Sequence, residues 1–199
     1  MLRQQLKPIR LKRGDILLII DLQNDFLPGG ALAVSQGDRV IPVMNRYISL
    51  FQKHHLPVVA TRDWHPADHC SFKTQGGPWP EHCIAGTEGS AFAADLQLPE
   101  TAVVVSKGTD QGAPGYSGFE GTALQSYLAQ LNARRLFIGG LATDYCVLAT
   151  ALDAVAHHYQ IFLLDDASRA VDIDPQNGHN AIHKMMQQGV IPITLADLQ

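Results

Sequence analysis

The feature that most limits how this chain can fold is a set of six short apolar runs, at residues 16–20, 58–61, 102–105, 136–138, 161–164 and 190–194. They are rich in Val, Ile and Leu and lack the polar alternate positions of a strand with one wet face. Near-continuous hydrophobicity of this kind belongs to strands covered on both sides, the condition of a parallel sheet. Most of the runs are separated by stretches with helical period: Val40, Met44, Tyr47/Ile48 and Phe51; Leu124, Tyr127/Leu128 and Leu131; Leu148, Leu152, Val155 and Tyr159. A last helix is predicted over 175–188, with Ile182 and Met185/Met186 inward and Gly189 as its stop. The alternation predicts an α/β fold, a mainly parallel central sheet of about six strands with helices on both faces.

At 199 residues, 46% of them hydrophobic, the chain is expected to form a single domain over 1–199 whose core needs no disulfide staple. Residues 1–13 hold Arg3, Lys7, Arg10, Lys12 and Arg13 and no acid, and read as a basic, solvated N-terminal arm. The formal net charge of −4 disfavours a nucleic-acid partner. The longest aliphatic stretch, 16–20, is far short of the ~20 residues that span a bilayer, and no apolar leader precedes it. Cys70, Cys83 and Cys146 are odd in number and form no CxxC pair, which argues against a secreted disulfide framework. The expectation is a soluble, cytoplasmic protein with no membrane partner.

Two long irregular regions, 65–100 and 108–120, each begin where a strand ends. Segments of that length in a compact domain are usually functional, and open α/β sheets bind ligands beyond the carboxyl ends of their strands. Asp21 closes the first run, where desolvation raises a carboxyl pKa into a range useful for proton transfer; it and Asp25 also suit capping of the following turn. Lys107 closes the third run, either as a surface charge or as a cation that favours a neighbouring thiolate. In the segment 139–146, Asp144 reads as a helix cap and Cys146 as a first-turn residue, a nucleophile aided by the helix start or a small buried hydrophobe.

Asp63 and His65, two apart at a strand end, share one face, and the loop can return His82 to them. One carboxylate with imidazoles suits Zn²⁺, Fe²⁺ or Mn²⁺ with open positions left over. Gly108, Gly112, Gly115, Gly118 and Gly121 match neither phosphate-loop pattern and read as tight backbone that brings Tyr116 and Phe119 to a pocket wall. His179 and His183 lack the glutamate of HExxH and read as surface histidines, while His54, His55, His157 and His158 end helices.

Taken together, DLQNDF, DWHPADHCSF, WPEHC, KGTDQGAPGYSGFEG and GLATDYCVLATALDA, in this order across about 15–166, resemble the nicotinamidase (pyrazinamidase) branch of the isochorismatase-like cysteine hydrolases. The resemblance implies hydrolysis of nicotinamide, and of pyrazinamide, to the acid and ammonia through a thioester, in NAD salvage. It assigns Asp21, Lys107 and Cys146 to a catalytic triad and Asp63, His65 and His82 to one divalent metal ion, zinc being expected and iron or manganese the alternatives. His69 matches a position that ligates the metal in some members and not in others.

Leu141–Ala142 matches a non-proline cis peptide, the amides of Ala142 and Cys146 forming the oxyanion hole. Phe26, Trp79 and Tyr116 match the aromatic pocket for the substrate ring. Tyr145 joins them where several relatives carry histidine. The small-molecule substrate is the only partner implied, with homo-oligomerisation left open. The rival readings are a metal-free isochorismatase-type or other amide or carbamoyl hydrolase of the same fold, and a non-catalytic metal-binding protein.

Overall fold

The computed structural model describes residues 8–199. Six strands form one sheet: β1 (Asp15–Ile20), β2 (Val58–Asp63), β3 (Val103–Lys107), β4 (Arg135–Leu141), β5 (Gln160–Arg169) and β6 (Ile191–Ile193). Their order is β3-β2-β1-β4-β5-β6 and every pairing is parallel, so the sheet is wholly rather than mainly parallel. Ile16, Leu17, Leu18, Ile19 and Ile20 are completely buried, which accounts for the missing polar alternation in the first run. Burying each such side chain contributes about 1.5–3 kcal/mol.

The pleat of β1 sends Leu17 and Ile19 to one face and Ile16, Leu18 and Ile20 to the other. On the first face lies α1 (Val40–Lys53), burying Val40, Met44, Tyr47, Ile48 and Phe51. The second face is covered by α2 (Leu124–Gln130), α3 (Leu148–Ala156) and α4 (Asn177–Gln187), through Leu124, Leu128, Ala151, Ala154 and Met185. Two residues past α4, Gly189 has φ +89°, a left-handed conformation that suits glycine at the helix stop. Among the described residues no helix is long and apolar enough to cross a membrane.

The chain runs outward from β1 through β2 to β3, then returns to the other side of β1 as β4. This reversal leaves a crevice at the carboxyl ends of β1 and β4, the usual ligand position in open α/β sheets. The 65–100 region contains a short 3-10 turn, Lys73–Gln75, and is pinned by isolated bridges His65↔Ile84, Phe72↔Trp79 and Gln23↔Phe92.

The structure departs from the sequence expectations in several places. β5 continues to Arg169, because after an irregularity between Ile138 and Gly140 its polar second half pairs with Gly140 and Leu141. Of the basic arm, residues 1–7, including Arg3 and Lys7, lie outside the described residues. The part that follows is tied down: Ile9 bridges Leu198, and the Arg10 carbonyl accepts from Arg135. Arg10, Lys12 and Arg13 remain exposed.

Candidate active site

Strand ends position the candidate side chains. Asp21 directly follows β1, its N–H donating to the Thr61 carbonyl at 3.2 Å. Asp63 and Lys107 are the last residues of β2 and β3, and the register pairs them directly. Cys146 lies in a π-helical turn, Thr143–Val147, between β4 and α3. It therefore precedes α3 instead of occupying its first turn, and Asp144 does not cap that helix. The Asp144 carboxylate accepts from the Val171 and Asp172 N–H groups at 2.9 and 3.0 Å, fastening the 171–172 loop beside the site.

Lys107 is the centre of the cluster and is fully buried. Its ammonium donates to Asp63 Oδ1 at 2.6 Å, to the Gly115 carbonyl at 3.1 Å and to Cys146 Sγ at 3.2 Å. Those three acceptors match its three protons. Asp21 Oδ2 is also 2.9 Å from Nζ, yet no aligned donor points at it, while Oδ1 accepts from the Thr61 hydroxyl at 2.6 Å. Asp21 and Lys107 thus form a close buried ion pair.

The charge states follow. Burial opposes the Lys107 charge, but Asp21 and Asp63 outweigh it and push its pKa well above the usual lysine range. Burial likewise opposes ionisation of Asp63, and there Lys107 prevails and holds the carboxyl low. For Asp21 burial wins, with the neighbouring Asp63 adding to it, and its pKa rises. Burial also pushes the Cys146 thiol well up, Lys107 opposing and the two carboxylates reinforcing the rise. Desolvation of the buried sulfur thus outweighs the pull of Lys107 toward the thiolate.

Beside this cluster, Asp63, His65 and His82 each present one ligand atom, all within 4.8 Å of one another. His65 Nδ1 lies 2.8 Å from the Gly108 carbonyl, and His82 Nδ1 2.8 Å from the Pro80 carbonyl. A carbonyl only accepts, so both Nδ1 atoms carry the proton and both Nε2 lone pairs are free for a ligand. This carbonyl-anchored imidazole is the usual support of a metal site, and the donor set suits a divalent ion. His69 stacks on His65 with centroids 4.0 Å apart, but its Nε2 donates to the Ala113 carbonyl at 2.9 Å and its Nδ1 accepts from Ser71 Oγ at 2.7 Å. Both its ring nitrogens are committed to the protein.

A narrow cavity opens over Cys146, lined by Phe26, Trp79, Tyr116, Tyr145, Ala142, Asp63 and His82. All four aromatic candidates are brought together here. Phe119 is not; it packs on His157 with centroids 4.9 Å apart. Leu32, Val34 and Val171 complete the wall, and no motif singled them out. The Leu141–Ala142 peptide is cis, and the Ala142 carbonyl accepts from the Tyr145 and Val147 N–H groups at 3.1 Å each. A broad groove along α1, lined by Asn45, Arg46, Leu195 and Leu198 among others, contains none of the candidate residues.

Gln23 and Asp25 are supports that the motif reading left without a role in the site. Gln23 Oε1 accepts from the Asp63 N–H at 2.7 Å, and its Nε2 donates to the Asp63 carbonyl at 2.8 Å and the Ser90 carbonyl at 2.9 Å. Asp25 Oδ2 accepts from the Cys83 N–H at 2.7 Å, next to His82. A buried amide that pairs with both backbone groups of one residue is a tertiary contact across forty residues, invisible to local pattern.

Residues 15–197 match the isochorismatase domain. The chain belongs to the isochorismatase family. Within that family it is 38% identical over 202 residues to a nicotinamidase of Escherichia coli, covering 91% of this chain and 95% of that one. Its fold superposes on the zinc complex of the Pyrococcus horikoshii pyrazinamidase with a TM-score of 0.88 at 44% identity, covering 92% and 99% of the two chains. It also superposes on PnC1 from L. infantum in complex with nicotinate, with a TM-score of 0.89 at 36% identity over 98% and 99%.

Proposed function

We propose that this isochorismatase-family protein is a metal-dependent cysteine amidohydrolase that converts nicotinamide, and pyrazinamide, to the acid and ammonia, serving NAD salvage. The observation that carries the reading is the meeting of Asp21 and Lys107 with Cys146, which itself lines an aromatic cavity that Asp63 and His82 also line. The relatives that bind nicotinate or carry the name nicotinamidase support the choice of substrate.

The pyridine ring lies among Phe26, Trp79, Tyr116 and Tyr145 with its carboxamide carbon over Cys146 Sγ. Asp63, His65 and His82 would hold one divalent ion, zinc by the precedent of the P. horikoshii protein, which when bound supplies a positive centre for the ring nitrogen. Because the thiol is pushed up and Asp21 Oδ2 has no aligned donor, Sγ attacks as its proton passes to Asp21. Asp21 delivers that proton to the departing nitrogen, releasing ammonia and leaving a thioester.

Water then attacks the thioester while Asp21 takes its proton, and the acid departs as the proton returns to sulfur. The amides of Ala142 and Cys146 carry the oxyanion, worth roughly 3–4 kcal/mol per donor in other hydrolases. Lys107 keeps its charge throughout and holds Asp63 and Sγ in register. The free Cys70, Cys83 and Cys146 suit a reducing cytoplasm.

Ammonia release from nicotinamide, with Cys146→Ala as control and metal content measured on both proteins, tests this. Turnover by the wild type alone is expected. Activity surviving in Cys146→Ala would end the cysteine mechanism, and full turnover without bound metal would end the assignment of the three ligands.

A further inference from the structure

Tyr145 separates two spaces. On its inner side is the catalytic cavity, and on its outer side an open surface groove of about 280 Å³ beside α3 and α4, lined by Tyr116, Asp144, Leu148, Ala149, Leu152 and Lys184. Both spaces share Tyr116 and Tyr145 as walls. Tyr116 is latched, since the Trp79 indole N–H donates to its hydroxyl at 2.9 Å. Tyr145 is held by apolar packing and ring contacts, edge-on to Trp79 at 5.0 Å and tilted against Tyr116 at 5.8 Å; among the described residues its hydroxyl has no hydrogen-bond partner.

The remainder rests on the substrate reading above. A pyridine-3-carboxamide is anchored at two points, its carboxamide carbon at Cys146 and its ring nitrogen beside Asp63, His65 and His82. Ring position 2 lies between those anchors, so position 5, directly across the ring, faces away from both. The outer groove is apolar along α3 through the half-buried Leu148, Ala149 and Leu152. We propose that Tyr145 is the specificity-determining partition of this site: it rejects carboxamides carrying a bulky group at ring position 5, and its truncation joins cavity and groove into one space that accepts an aryl group there.

The test compares ammonia release from pyridine-3-carboxamide and from its 5-phenyl derivative, using metal-loaded wild type, Tyr145→Ala and Tyr145→Phe. The ratio of kcat/KM for the phenyl compound over the parent is expected to rise at least about 10-fold in Tyr145→Ala, on the scale by which a few apolar groups alter discrimination. Tyr145→Phe keeps the ring and the wild-type ratio. Adding Leu152→Trp to Tyr145→Ala refills the groove and cancels the gain. An equal ratio in wild type and Tyr145→Ala, or a gain that survives Leu152→Trp, overturns the proposal. Should Tyr145→Ala not fold, Tyr145→Leu is read against the same outcomes. A wild type inactive on the parent compound overturns the substrate reading, whereas an active wild type with a flat ratio overturns the partition alone.

Discussion

Replacing Gln23 by Met removes three hydrogen bonds while keeping an unbranched side chain of similar length in a fully buried place. The Asp63 N–H and the Asp63 and Ser90 carbonyls lose these partners. A buried polar group left unpaired costs about 1–3 kcal/mol, toward the low end for carbonyls that keep a second lone pair. Met fills most of the space, so the cavity contribution is small. The expected destabilisation is about 3–6 kcal/mol, a large share of the 5–15 kcal/mol that stabilises a typical domain. Urea titration should show a lower midpoint with an unchanged slope. With its peptide released, Asp63 should also hold a divalent ion about 10–100-fold more weakly in chelator competition, as when other supporting groups of metal sites are lost. An unmoved urea midpoint refutes the clamp, and a lowered midpoint with wild-type metal affinity refutes its role in aligning Asp63.

At the opposite end of the sheet, Asp15 accepts from Arg135 Nε and Nη2 at 2.6 and 2.5 Å, so Asp15→Asn should cost about 2–3 kcal/mol in urea while ammonia release per folded molecule stays the same. A β-carbon at Gly89 would stand 2.1 Å from Asp25 Oδ2, so Gly89→Ala should displace Asp25 from the Cys83 N–H and weaken metal binding; wild-type affinity would show that Asp25 does not steady His82. Burial lowers the pKa of both His69 and His82, so both stay neutral below the ordinary value of about 6.5. Protonation of His82 should therefore not weaken metal binding between pH 8 and about 6.5, and a tenfold loss of affinity between pH 7.5 and 6.5 that His82→Asn abolishes would contradict it. In the same acid range these two histidines bind more protons unfolded than folded, so the stability they contribute is lost as pH falls.

The sheet was legible because burial on both faces leaves no polar positions in its strands, and α1 because its buried residues recur at helical spacing. What escaped was set by distant parts of the chain. Asp165 and Asp166 disguise the second half of β5, yet Asp166 accepts the Tyr47 hydroxyl from α1 at 2.7 Å. Asp144 has the local signature of a cap, but the 171–172 amides compete successfully for it. Motif order pointed to Asp21, Lys107, Cys146, Asp63, His65 and His82, which the fold brings together, since strand ends share one edge. Leu32, Val34 and Val171 line the cavity from segments with no chemical signature.

Asp63 gives one oxygen to Lys107 and turns the other toward His65 Nε2 at 3.5 Å. That division gives any redesign of the site a direction. If Asp63 were removed first, Lys107 would keep only Asp21 as a carboxylate partner, lowering the affinity of Asp21 for the proton it must take from Cys146. If His65 and His82 were replaced first, Asp63 would still neutralise the lysine and Asp21 would keep its raised affinity for a proton. A metal-free descendant of this site is therefore reached through its imidazoles, with the shared carboxylate retained to the end.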